Sequence, residues 1–236
     1  MMGKVIMSGI VPPLKVPVSY KANFADNDWA TIIDACQKNA VPDTWLVGDQ
    51  KAMTINGTDY AIDIIGKNHD DYADGSGKAP LTFQMHDLYG TTYQMNSSNT
   101  NSGGWTECEM RKTHLPEIMS FMPVEVQNGI KAVNKLTSAG SRSTSINNTA
   151  GKLFLLSEIE FFGMTNYSAS GEGSQYDYYK AGNSHVKMLN GSKTNHWERS
   201  PNKQNTVAFC CVGTGTPGYI GYAASNSFGV AFAFCF

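Results

Sequence analysis

The last 32 residues of the chain, 205–236, contain no Lys, Arg, Asp or Glu, although charged residues make up 16% of the whole and about five would be expected there. A stretch so depleted in charge must either cross the interior or carry its polarity on small side chains. It does some of each. Phe209, Val212, Val230, Phe232 and Phe234 recur with the spacing of buried strands. Between them, residues 213–222 read Gly-Thr-Gly-Thr-Pro-Gly-Tyr-Ile-Gly-Tyr, which has no amphipathic period. Framework strands around an aperiodic segment make a binding loop on a rigid support, against the plainer reading of a terminal hairpin rich in glycine for turn reasons.

Upstream, Pro12, Pro13 and Pro17 break residues 1–23 into an extended arm, and globular sequence begins near Phe24. Asp28 caps a helix whose Trp29, Ile32, Ile33 and Cys36 form one apolar stripe. Strand signals follow, with 45–49 leading to 52–55, a turn at Asn56-Gly57, then 60–65, and later 81–85. Residues 96–104 form a polar loop. A second helical region covers about 106–136, broken by Pro116 and Pro123, with Val126, Ile130 and Val133 on its apolar face. The Ser, Thr, Asn and Gly of 137–150 predict a loop, 152–162 a buried strand, and 163–193 a long excursion carrying Tyr167, Tyr176, Tyr178 and Tyr179. Two helices among many short, mostly antiparallel strands, without βαβ alternation, predict an α+β domain over 24–236 behind the 1–23 arm.

A net charge of -2, with the basic residues of 187–199 interrupted by polar ones, gives no basis for nucleic-acid binding. The N-terminus has a short apolar run ended by two prolines, and neither a secretory signal nor membrane insertion is expected. Five cysteines at irregular spacing, Cys36, Cys108, Cys210, Cys211 and Cys235, fit buried thiols better than a disulfide framework. His69, His86, His114, His185 and His196 have no metal-ligand spacing. Neither a cofactor nor a metal is expected.

The tail uses only Asn, Thr, Val, Ala, Phe, Cys, Gly, Pro, Tyr, Ile and Ser. Randomising the first two bases of an Asn codon reaches all of these, and never Lys, Glu, Gln, Met or Trp. Trp197-Glu198-Arg199-Ser200-Pro201, Phe209-Cys210, Ala224-Ser225-Asn226-Ser227 and Gly229 through Cys235 resemble phage and prophage variable proteins diversified by retroelements. Trp29, the 45–49 run, Gly104-Trp105 with Arg111, and 152–162 extend the likeness across most of 24–236. In that family a reverse transcriptase misincorporates at template adenines and overwrites the C-terminal repeat of its target gene. The resemblance implies a C-type-lectin-like fold that displays variable side chains on a static backbone, with a variable region at about 195–228.

On that basis Cys211, Gly213, Gly215, Gly218, Tyr219, Ile220, Gly221, Tyr222 and Phe228 are expected to be variable and ligand-facing, followed by Asn195, His196 and Val207. Trp197, Arg199, Phe209, Val212, Val230 and Phe232 are expected to be scaffold. The implied protein is not an enzyme. It is a receptor-binding protein of a phage tail or fibre tip, assembled in the host cytoplasm and carried on the virion. Its expected partners are a host-surface protein or glycan, other virion or tail proteins through residues 1–23, and, by analogy with fibre tips, copies of itself in a homotrimer.

Alternatives within and beside that fold carry weaker signals. A calcium-dependent lectin would bring Glu-Pro-Asn or Gln-Pro-Asp and a later Trp-Asn-Asp, none of which occurs. Asp70, Asp71 and Asp74 offer oxygen ligands, yet read better as a solvated acidic turn. A formylglycine-generating type of enzyme would need an activated cysteine, whereas Cys210 and Cys235 lie in apolar runs. Glu158 and Glu160 read as a buried pairing with Arg111 or Arg199 rather than a catalytic dyad. A virion structural protein without diversification is the remaining alternative.

Overall fold

The computed structural model describes residues 19–213 and 219–236, with only the backbone described at Tyr219 and Ile220. The architecture is α+β. Helix α1 (Trp29–Gln37) starts where expected, with the Asp28 side chain accepting from Thr31 N, and buries Trp29, Ile32, Ile33 and Cys36. Strands β1 (Gln50–Ile55) and β2 (Thr58–Lys67) pair antiparallel around Asn56 and Gly57. Both turn residues have positive φ, 50° and 75°, as the tight hairpin turn demands. Strand β3 (Leu81–Met85) joins β2. Residues 45–49, expected to extend this sheet, instead form turns, with Gly48 at φ 99° and the Asp49 carboxylate accepting from Leu46 N. The segment still touches β2, with Gly48 N donating to Ile64 O (2.8 Å) and Asp49 O accepting from Ile64 N (2.9 Å), but the turn at 46–49 stops it from running on as a strand.

The helical region divides into α2 (Gly104–Glu107), a π turn (Met110–His114) continuing into α3 (Leu115–Ser120), and α4 (Val124–Gly129). Pro116 does not break the run; it falls where the π turn passes into α3, and the backbone at His114 and Leu115 before it stays helical. Pro123 is the N-cap of α4. Val133 belongs to a strand. Strand β4 (Val133–Ser138) pairs in register with β5 (Ile146–Gly151), so the expected loop at 137–150 is largely the second half of a hairpin.

Residues 152–162 are not a strand. Phe154 bridges Ala233, and the chain then turns into α5 (Glu158–Phe162). Ser157 and Glu160 form a reciprocal capping box there, and Gly163 closes the helix at φ 68°. The excursion carries α6 (Asp177–Lys180) and a minimal hairpin of β6 (Met188–Leu189) and β7 (Ser192–Lys193).

A second sheet follows in the order β10-β9-β8, from β8 (His196–Pro201), β9 (Ala208–Val212) and β10 (Tyr219–Ala223). The last strand, β11 (Ala233–Cys235), returns to the first sheet and completes the order β1-β2-β3-β11. Phe234 packs on Phe83 at 5.3 Å, and the terminal Phe236 packs on Trp29 of α1 at 6.0 Å. The charge-free tail thus closes the same core that the first helix opens. Among the described residues, no helix is long and apolar enough to cross a membrane.

Candidate functional site

Strand β8 carries the support for the C-terminal face. Its whole length is buried, and Arg199 is fully inaccessible. Such a cation needs every donor satisfied. The Arg199 guanidinium bridges both oxygens of Glu160 and donates to Thr137 Oγ1 (3.0 Å) and to the carbonyls of Leu155 (3.0 Å), Leu136 (3.1 Å) and Glu172 (2.8 Å). Lys135 bonds the other side of Glu160 at 2.7 Å and Asp70 at 2.8 Å, and Tyr176 donates its hydroxyl to Asp70. Burial would raise both carboxyls. The neighbouring cations outweigh it, holding Glu160 below its usual range and Asp70 at about 2.

Of the two arginines considered for the glutamates, Arg199 takes Glu160, whereas Arg111 caps the carbonyls of Trp105 and Thr106. Glu158 instead accepts from the backbone N–H of Tyr167 and Ser168. Asp70 is no solvated turn residue. It is buried against Lys135, while Asp71 pairs with Lys78 on the surface.

Over this support, residues 228 and 229 are held from both sides. Phe228 exchanges backbone bonds with Tyr93 (2.9 and 3.0 Å), and Gly229 accepts from Trp197 N (3.1 Å) and donates to Asn195 O (2.9 Å). A Cβ on Gly229 would lie 2.4 Å from Leu88 Cδ1, so a larger residue here would have to displace the buried Leu88 side chain. Trp197 is buried, donates Nε1–H to Tyr93 O (2.8 Å) and packs against Phe228 at 4.9 Å. Phe228 in turn meets Tyr222 edge-on at 4.8 Å. Asn101 ties the 96–104 loop to the β8–β9 turn by donating to Asn205 O and Ala208 O.

Several expected site residues reach the surface here. Tyr222, Phe228 and Asn195 are half-buried, and Val207 is exposed at 41%. Others do not. His196 is fully buried beside Phe161, and burial lowers its pKa to about 3, leaving a neutral ring in the core. Cys211 is fully buried on β9 and Gly213 is buried after it; every residue of β9 is buried, so both faces of the strand are covered. At Gly221 a Cβ would stand 2.8 Å from Phe209 O, a backbone atom, so no side chain fits. These four positions leave the outward-facing set. Gly215 and Gly218 lie outside the described residues, and Tyr219 and Ile220 are placed by backbone alone, on β10. The expected scaffold residues Trp197, Arg199, Phe209, Val212, Val230 and Phe232 are all buried.

All five cysteines are free and buried, and burial pushes every thiol up, Cys36 and Cys108 to about 12. A cysteine nucleophile works as the thiolate, which these sites disfavour. Among the described residues, no group of three His, Cys, Asp or Glu side chains is placed to hold a metal ion. The sequence reading missed the aromatic row leading away from Phe228, in which Tyr93 stacks with Tyr89 at 6.4 Å and Tyr89 with Tyr60 at 5.7 Å. Its residues come from β2 and the loop after β3, so sequence spacing carried no sign of it.

A family model described as Domain of unknown function (DUF6273) matches residues 80–236, about two thirds of the chain. The match begins at the threshold of β3 and takes in both the Arg199 support and the face above it. No curated protein and no solved structure matches the chain.

Proposed function

The chain belongs to the DUF6273 family, whose description attaches no activity to it, and we propose from the C-terminal face itself that it is a recognition protein rather than an enzyme. In this reading a C-type-lectin-like scaffold presents changeable side chains near residues 195–228 to a host-surface protein or glycan, in the setting of a phage tail or fibre tip. The supporting observation is the contrast at that face. Phe228 and Tyr222 stay partly accessible, while the backbone of residues 228 and 229 is bonded from two sides and Phe228 packs on a fully buried Trp197. Half-exposed aromatic rings on a stiff frame supply contact area at little conformational cost.

The outward set is narrower than the codon argument alone suggests. It comprises Asn195, Val207, Tyr222 and Phe228. A scaffold in which β11 returns to the sheet begun by β1 and β2 is compatible with the lectin-like topology.

Two measurements test the reading together. The surrounding genome should hold a repeat that differs from codons 205–228 only at its adenines, beside a reverse transcriptase gene. Exchanging 205–228 for a sibling sequence should redirect binding of labelled protein to intact bacterial cells, and move the melting temperature by no more than about 2 °C. A genome without that repeat, or an exchange that leaves cell binding as it was, overturns the proposal.

A further inference from the structure

At the far end of the aromatic row, the β1–β2 hairpin, the loop after β3 and the β6–β7 turn surround an open groove of about 480 Å3. That size is within the range of small-molecule sites. Thr58, Tyr60, Asp87, Leu88, Met188 and Asn190 line it.

Its walls are fixed independently of any ligand. Tyr60 is half-buried, stacks one face on Tyr89, and accepts at its hydroxyl from Gly90 N (3.1 Å). Asp87 Oδ1 accepts from Met188 N (2.8 Å) and Met188 O accepts from Leu88 N (3.0 Å), locking the loop to β6. Asn190 and Gly191, at φ 51° and 77°, form the two-residue hairpin turn that makes the third wall.

The lining selects a ligand class. One aromatic ring and two apolar side chains suit a face of C–H bonds, whereas a carboxylate, an amide and a hydroxyl suit several neutral hydroxyl groups. Among the described residues no Lys or Arg lines the groove, which disfavours phosphate, sulfate and acidic sugars. The nearest lysine in sequence, Lys187, is buried and donates inward to Met85 O and His86 O. A quaternary ammonium is the alternative cargo for a ring beside a carboxylate, but such cages use several converging rings, and here Tyr60 alone lines the groove.

We propose that this groove is a subsite for a neutral hexopyranose, stacked on Tyr60 with its hydroxyl groups hydrogen-bonded to Asp87 and Asn190. It uses no residue of 195–228 and stands whether or not that face binds anything.

The test is an amide NMR titration of the full chain with the methyl glycosides of glucose, galactose, mannose and N-acetylglucosamine. One of them should produce saturable shifts at Gly90, Asn190 and Gly191, with a dissociation constant of about 1 mM, as expected for a single shallow sugar site. Asn190→Gly keeps the left-handed turn and removes the amide, and should weaken binding about fivefold. Tyr60→Leu should abolish it; if that variant does not fold, Asn190→Gly and Asp87→Asn still decide the matter. Absence of saturable shifts with all four sugars, unchanged affinity in the folded variants, or shifts with tetramethylammonium in place of the sugars overturns the assignment.

Discussion

Glu198 is fully buried on β8 next to the best-satisfied cation in the molecule, yet among the described residues neither of its oxygens has a hydrogen-bond partner. Burial, with Glu158 and Glu172 nearby, holds its carboxyl protonated far above the ordinary range. Glu172, accepting from Ser138 N and the Ser200 hydroxyl, is raised by burial to about 7. Both groups keep protons that the unfolded chain releases above its carboxylate pKa of 4.5. Their contribution to stability is therefore complete below that value and declines as pH rises through about 7 and beyond. Asp70 and Glu160 are lowered and act in the opposite sense, losing their contribution only in strong acid. Stability should consequently peak on the acid side of neutrality. Glu198→Gln replaces the protonated acid by a neutral isostere. It should raise the melting temperature at pH 8 by several degrees, at about 2–4 °C per kcal/mol for a chain of this size, and barely change it at pH 4.5. Thermal melts at the two pH values check this, and an equal shift at both would contradict it.

Among the elements, β10 decides how much of the tail is free to vary. Its Gly221 lies against Phe209 O of β9. Gly221→Ala should therefore push the strands apart and cost about 1–3 kcal/mol, whereas Val207→Ser, at an exposed position, should change stability by less than about 0.5 kcal/mol. Urea titration separates the two, and equal costs would mean that β10 tolerates side chains along its whole length. The elements best foretold from sequence are those with local punctuation. Asp28 before an apolar stripe marks α1, and Asn56-Gly57 between alternating runs marks β1 and β2. Residues 152–162 misled because Leu153-Phe154-Leu155-Leu156 is apolar without period, which strands and buried helices share. The Ser157–Glu160 capping box was the signal that could have separated them. Polar 137–150 misled in the other direction, since β5 leaves most of its side chains outside the core and needs few apolar residues. At the site, the buried scaffold was legible from residue type. Burial of His196 and Cys211 was not, because it follows from which elements pack over β8 and β9, such as Phe161 beside His196, and distant packing leaves no mark on local spacing.

For the molecule as a whole, burial alone accounts for part of the uncharged tail. Residues 208–213 and 229–236 are all buried, where a charged side chain is costly unless it is paired, as Arg199 and Glu160 are. What burial leaves unexplained is the partly exposed stretch 221–228, broken only by buried Ala224, where Asn226 and Ser227 face solvent and still no charge appears. The codon argument for variability therefore rests on that stretch together with Val207. The closing strand has the opposite role. Ala233–Cys235 pairs with β3 on one side, while on the other Ala233 exchanges bonds with Phe154 and Cys235 O accepts from Lys131 N. Phe234 and Phe236 complete the aromatic cluster of Trp29 and Phe83. Phe234→Ala should cost about 3–5 kcal/mol, a large share of the roughly 5–15 kcal/mol that holds a domain together. Ending the chain at Phe232 removes that ring, Phe236 and both sets of strand bonds at once, and should leave a chain without a cooperative melting transition. If the shortened chain instead melts within a few degrees of the full one, the tail is an appendage, and a scaffold that depends on its last four residues to hold the face at 195–228 is ruled out.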